Sequence, residues 1–202
     1  MYEGTLLRQE ILKRRDQQSI QDQQHKSDRI RATLLRLDDV KRCSSIFIYV
    51  SFRSEVQTSG IIDYLLGQGK TVSVPLTRVA EKRLEIIQIK APQRELVPGY
   101  CGIPEPKEEL AVTSALSAES LDLIILPGSV FDERGGRYGY GGGYYDRLLA
   151  RVPAARRIAL AYEMQIVKKL PLQPHDELLD LIVTEERLIR PPSRPLFSSA
   201  SA

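Results

Sequence analysis

The sequence predicts an α/β fold: a single domain, with a mostly parallel sheet flanked by helices, behind an N-terminal helical segment. Three observations lead there. Short apolar runs rich in β-branched and aromatic residues recur along the chain, beginning at residues 45–50. A helical pattern of about ten residues separates the first two runs, which makes a βαβ unit. The opening forty or so residues carry their apolar positions at helical spacing instead.

Leu6, Leu7 and Ile11, then Ile30, Leu34 and Leu37, fall on helical faces, with a Gln-rich stretch between them. Ser19-Ile-Gln-Asp22 is a capping signal, so one helix should end near Gln17 and the next begin near residue 20. Residues 45–50 read as a buried strand. Thr58 is the expected cap of a helix carrying Ile61, Ile62, Leu65 and Leu66, stopped by Gly67 and Gly69. Residues 70–74 give the next strand, and the pattern continues at 85–89, 121–126, 157–161 and 181–183. Between Pro92 and Pro106 the sequence reads as loop, because Gly102-Ile-Pro-Glu-Pro106 suits neither helix nor central strand. Residues 191–202 are rich in Pro and Ser and are expected as a tail beyond a domain spanning 1–190.

Composition narrows the function classes. With 202 residues and 42 % hydrophobic content the chain can build a sizeable core. A net charge of +3 is too balanced for a protein that grips a nucleic-acid backbone. The surplus lies in residues 1–42, with ten Lys/Arg against seven Asp/Glu, a basic helix able to face a small anion or simply water. Two cysteines and two histidines without zinc spacing argue against a structural zinc site. No apolar run reaches membrane-spanning length and no secretory signal opens the chain, so a soluble cytoplasmic protein with no membrane or nucleic-acid partner is expected.

One segment outranks the others chemically. Six of the thirteen glycines fall between Gly135 and Gly143, after a predicted strand and before a helix expected near Tyr144. Glycines let backbone amides approach a bulky anion, and a helix N-terminus adds dipoles that favour negative charge. The run is neither a P-loop nor a dinucleotide fingerprint, since no Gly-Lys-Ser/Thr follows and the third glycine would fall on Tyr144. A plain glycine-rich hairpin is the competing reading. Against it stand Arg137 and Arg147, which bracket the loop as phosphate partners, and Asp146, suited to hold Mg²⁺ on a phosphate. Asp176, beside His175 at a Pro-punctuated turn, is the second candidate carboxylate, with a simple turn cap as its alternative. Glu55 beyond the first strand and Arg8 on the first helix read, on local grounds alone, as solvated charges.

Together these segments resemble the 5-formyltetrahydrofolate cyclo-ligase family. The likeness runs from about residue 5 to residue 189 through the Arg8 helix, Tyr49-Val-Ser…Glu55-Val-Gln-Thr58, Gly69-Lys-Thr-Val…Pro75, Gly102-Ile-Pro-Glu-Pro106, Arg137-Tyr-Gly-Tyr-Gly-Gly-Gly-Tyr-Tyr-Asp-Arg147 and His175-Asp176. The resemblance implies an ATP- and Mg²⁺-dependent conversion of 5-formyltetrahydrofolate to 5,10-methenyltetrahydrofolate with release of ADP and phosphate; a monomer is expected. It also implies that Arg8, Arg137, Tyr138, Gly139, Tyr140, Gly141, Gly142, Gly143, Tyr144 and Tyr145 contact ATP, and that Asp146 and Asp176 serve the metal. In the same way Val50, Glu55 and the 140–144 stretch line the folate site, and Arg137, Tyr140 and Tyr144 stand where the formyl group meets the γ-phosphate. Many members carry a lysine one helical turn before the Arg8 equivalent, and some carry another in the glycine loop. Here those places are Gly4 and Gly142, and Arg134, Arg147 and Lys13 are the expected substitutes. Cys101 stands where many members have an aromatic. The competing reading is a non-catalytic folate- or nucleotide-binding relative, which retention of Arg8, Glu55, Asp146 and Asp176 disfavours.

Overall fold

The computed structural model describes residues 2–173 and 176–192. His175 and residues 193–202 of the expected tail lie outside the described residues. Helices are α1 (Tyr2–Asp16), α2 (Ile20–Leu34), α3 (Asp38–Arg42), α4 (Ser59–Gly67), α5 (Pro92–Glu95), α6 (Leu110–Thr113) and α7 (Tyr144–Arg151). Strands are β1 (Ser45–Ile48), β2 (Thr71–Arg78), β3 (Arg83–Ile89), β4 (Leu96–Pro98), β5 (Pro104–Pro106) and β6 (Leu123–Leu126). They continue with β7 (Val130–Asp132), β8 (Arg137–Tyr138), β9 (Arg156–Leu160), β10 (Ile166–Val167), β11 (Leu181–Val183) and β12 (Leu188–Ile189).

The main sheet has seven strands in the order β12-β11-β9-β6-β1-β2-β3. Its inner strands pair in parallel, while β3 and β12 close the two edges antiparallel. The apolar run at 85–89 is therefore half of a hairpin with β2, not another crossover strand, because four residues between β2 and β3 are too few for a helix. Each inner strand is buried on both faces, which explains its unbroken apolar sequence. Alternate residues divide between two cores: Ile46, Ile48, Leu123, Ile125, Ile158 and Leu160 pack with α2 and α4, and Phe47, Ile124, Leu126 and Ala159 pack with α7.

From β1 the chain runs first to β2 on one side and later to β6 on the other. The sheet order thus reverses between β1 and β6, and the crevice beyond their C-terminal ends is where such sheets bind ligands. A second sheet, β10-β7-β8, rises from that end and carries the glycine loop. Helix α1 covers it through a small core of Ile11, Val130 and Leu170, while Leu6, expected on the apolar face, is exposed.

Local signals mostly act as the sequence suggests. Ser19 caps α2 by accepting from the Asp22 amide at 3.1 Å. Thr58 precedes α4 but makes no cap: its Oγ1 accepts from the Ser51 amide at 2.9 Å, and its own amide donates to Ser51 Oγ at 3.2 Å. That reciprocal clasp folds the β1–α4 loop and brings Glu55 to the sheet's end. The 92–106 region is not wholly irregular, since β4 and β5 form a two-stranded ribbon around the Tyr100–Gly102 turn.

Candidate active site

The glycine loop is anchored at both ends. At its start, Ser129 Oγ donates to the Tyr138 and Gly139 carbonyls at 2.9 and 3.1 Å, and Gln165 Nε2 donates to the Gly128 and Ser129 carbonyls at 2.9 and 3.1 Å. At its end Gly143, with φ at +63°, turns the chain into α7. The helix starts at Tyr144 as the glycine run suggests, and its first-turn amides have no intrahelical acceptor.

Two hollows flank this loop. The first, of about 360 Å³, is lined by apolar and aromatic groups such as Tyr49, Val50, Pro75, Leu84, Tyr144 and Tyr145, with Glu55, Glu105 and Asp146 the acids set among them. The second, of about 390 Å³, is polar, bounded by Gly4, Arg8, Tyr138, Gly141, Asp146 and Asp176. Arg137, Gly139, Gly143 and Asp146 border both.

Arg137 is 5 % exposed and sits at that shared wall. Its Nη2 donates to Asp146 Oδ1 at 2.7 Å and its Nη1 to the Pro127 carbonyl at 3.4 Å. The Nε atoms of Arg137 and Arg8 are both buried with no protein acceptor. Unsatisfied guanidinium donors beside a polar hollow suit a phosphate. In the first hollow, Glu55 accepts the Phe52 amide at 2.9 Å on one oxygen and the Tyr140 hydroxyl on the other. Burial pushes the Glu55 carboxyl above its ordinary range, opposed by those two hydrogen bonds and by Arg15. The Tyr140 phenol is raised by enclosure of its hydroxyl and then by Glu55, so it stays a donor.

All the sequence-nominated residues from Arg8 to Asp176 thus border one hollow or the other, with three exceptions among the cations. Arg147, expected on a phosphate, donates instead to the Lys82 and Gly142 carbonyls at 2.5 and 2.6 Å. Arg134 is paired with fully buried Asp132 at 2.7 Å, and Lys13 lines neither hollow. The two glycines at family lysine positions have steric reasons here: a Cβ on Gly4 would lie 3.2 Å from the Tyr138 ring, and one on Gly142 would lie 2.6 Å from Tyr144. Cys101 does reach the rim of the first hollow, exposed and with φ at +56°. Two buried groups escaped sequence reasoning. Glu105 holds the Tyr100 turn by accepting the Tyr100 amide at 3.1 Å. Arg15 touches Tyr140, and its only sequence signal was its place on the face of α1 that carries Arg8 and Ile11.

The model of the 5-formyltetrahydrofolate cyclo-ligase family matches residues 2–185. The chain belongs to that family. The 5-formyltetrahydrofolate cyclo-ligase of Escherichia coli (strain K12) is 31 % identical over 180 residues, 88 % of this chain and 98 % of that protein. That of Haemophilus influenzae is 32 % identical over 169 residues, 80 % of this chain and 87 % of that protein. The solved structure of Aquifex aeolicus 5,10-methenyltetrahydrofolate synthetase superposes with a TM-score of 0.80 at 29 % identity, covering 98 % of this chain and 95 % of the other. Family membership makes the chain an enzyme, a ligase of folate one-carbon metabolism that converts 5-formyltetrahydrofolate to 5,10-methenyltetrahydrofolate, with ATP use implied by the family. Among the described residues no helix is long and apolar enough to cross a membrane.

Proposed function

We propose that the family reaction runs across the shared wall, with the folate pterin in the apolar hollow and the ATP phosphates in the polar one. What carries this reading is that Arg137, Gly139, Gly143 and Asp146 border both hollows, so reacting groups on either side can meet. The N5-formyl group is an amide, a weak electrophile whose oxygen leaves poorly. Transfer of the γ-phosphoryl group to the formyl oxygen releases ADP and makes that oxygen part of a phosphate leaving group. N10 then attacks the formyl carbon and gives up its proton to the solvent or to the departing phosphate, the C–O bond breaks, inorganic phosphate leaves, and the five-membered ring closes as the methenyl product. Phosphoryl transfer of this kind needs positioning and charge neutralisation rather than a protein nucleophile.

Each role follows from chemistry at a named atom. Glu55 accepts hydrogen bonds from the pterin's N–H groups beside Val50. Arg8 and the amides of residues 138–145 cradle the phosphates. Arg137, buried and half-satisfied, stabilises charge on the transferring group, while Tyr140 and Tyr144 confine the formyl end. Asp146 and Asp176 border the same polar hollow, and two carboxylates are what Mg²⁺ takes when phosphates and water supply the rest. Among the described residues no group of three or more His, Cys, Asp or Glu could hold an ion unaided, which fits a metal that arrives with its nucleotide. Bound there, Mg²⁺ would neutralise negative charge on the phosphates. The cytoplasmic monomer and the single domain over residues 1–190 expected from the sequence remain part of this proposal.

The test is the appearance of methenyl-product ultraviolet absorbance when MgATP and 5-formyltetrahydrofolate are added. Asp146→Asn should lower turnover by about a hundredfold or more while the fold melts cooperatively, the scale of lost transition-state charge stabilisation. Unchanged turnover in that variant would remove Asp146 from the metal site. Tight folate binding without any turnover in the parent would favour the non-catalytic relative.

A further inference from the structure

The first helix carries an arginine that the reaction above does not use. Arg15 lies seven positions beyond Arg8, two turns along the same face, and is 4 % exposed. Burying a guanidinium is costly unless its donors are engaged. Arg15 Nε donates to Ser54 Oγ at 3.0 Å, and Nη1 donates to the Tyr140 hydroxyl at 2.9 Å and the Gly128 carbonyl at 3.4 Å. The Tyr140 hydroxyl donates onward to Glu55, and Ser54 Oγ donates to Asp16. One buried cation thus joins helix α1, the loop that carries Glu55, and the glycine loop.

We propose that Arg15 is a positioning residue for folate binding: it fixes the Tyr140 hydroxyl and, through it, keeps Glu55 aimed into the apolar hollow. The proposal rests on the reading of that hollow as the folate site. Its charge logic is local. Burial favours the neutral form of Glu55, while Tyr140, the Phe52 amide and Arg15 favour the charged form. The ionisable groups that face this cluster are Arg15 and Asp16 from α1, Tyr49 after β1, Tyr140 and Tyr145 around the glycine loop, and Tyr162 after β9. Arg15 is the cation that acts on Glu55. Without it the carboxyl must hold its proton to higher pH, and the Tyr140 hydroxyl loses the donor that fixes its direction.

The experiment is the pH profile of kcat/KM for 5-formyltetrahydrofolate, with KM for ATP measured alongside, in Arg15→Met, Arg15→Lys and Glu55→Gln. Arg15→Met should raise folate KM about tenfold or more, the scale of one charge-assisted hydrogen bond, and leave ATP KM within about twofold. Its acid limb should move up by about one pH unit, as expected when a nearby opposite charge is removed. Arg15→Lys keeps the charge but not the fork, so its acid limb should stay in place while folate KM rises a few-fold. Should the Met variant fail to fold, the Lys variant decides: an unchanged folate KM overturns the proposal. Equal acid-limb shifts in both variants, or a loss confined to kcat, also overturn it. Glu55→Gln separates the premises. If it raises folate KM while the Arg15 variants do nothing, only the role of Arg15 falls. If it leaves folate KM unchanged, the folate reading of the hollow falls, and this proposal with it.

Discussion

Substituting Gly143 by Ala probes the point where the glycine loop becomes α7. The residue has φ at +63° and ψ at 16°, a left-handed conformation that costs an L-residue about 1–2 kcal/mol. The added methyl would stand 2.9 Å from Arg147 Nη1, so that guanidinium must shift. Arg147 donates to the Lys82 and Gly142 carbonyls at 2.5 and 2.6 Å, bonds at an exposed site whose weakening adds at most about 1 kcal/mol. The expected total is about 2 kcal/mol, a fall in Tm of about 4–8 °C for a domain of this size. Activity should fall much further, by about a hundredfold in kcat/KM, because Gly143 borders both hollows and small displacements of reacting groups are costly. Gly143→Asn should recover part of the stability, since Asn tolerates the left-handed region, without recovering activity. Gly67→Ala is the control: its Cβ meets nothing within 4 Å, so stability should hold or rise by about 0.5 kcal/mol with full activity. Circular-dichroism melts and product absorbance read both effects. A Gly143→Ala protein as stable and active as the parent would refute the loop geometry on which the reasoning stands.

Three further outcomes are expected. The Asp132 carboxyl is held below its ordinary range, because the Leu170 amide, Arg134 and the Gly136 amide outweigh the burial that alone would raise it. Its stabilisation is therefore complete above the unfolded value of about 3.9 and is lost as pH falls through the lower folded value. The Tm difference between the parent and Asp132→Asn should be flat above about pH 5 and close in more acidic buffer, and a gap constant into that range would contradict the assignment. Glu105→Gln cannot accept both from Thr77 and from the Tyr100 amide as the carboxylate does, so the Tyr100 rim should loosen and folate KM rise about fivefold, with ATP KM as the unchanged control. Gly142→Lys, which introduces the side chain some family members carry, should lower kcat/KM here because its Cβ would lie 2.6 Å from the Tyr144 ring; a gain in activity would show that ring to be free to move.

What the sequence made legible follows its physics. Strands buried on both faces appear as unbroken apolar runs, so β1, β6, β9 and β11 could be found, and the glycine run pointed to a helix near Tyr144, where α7 begins. An apolar run carries no direction, which is why β3 read like its parallel neighbours although it returns antiparallel beside β2. Thr58 stood where a cap belongs, but its hydroxyl had a better partner across the loop in Ser51. Arg147 flanked the glycines in sequence, yet helix α7 turns it toward Lys82. Arg15 sat in a run of three basic residues, Lys13, Arg14 and Arg15, and only the rotation of α1 against the second sheet decides which of them is buried. Glu105 was hidden between prolines that favoured a loop, because its partners, Thr77 and Tyr100, are distant in sequence or fixed by the ribbon itself.

A crystal structure with ADP, Mg²⁺ and 5-formyltetrahydrofolate bound together tests the two-hollow arrangement most directly. The expected result has phosphate oxygens within hydrogen-bond reach of Arg8 and the amides after Gly139, the metal on Asp146 and Asp176, and the pterin against Glu55, with the formyl group facing Arg137. Phosphates bound away from the glycine loop, or a pterin seated in the polar hollow, would contradict it.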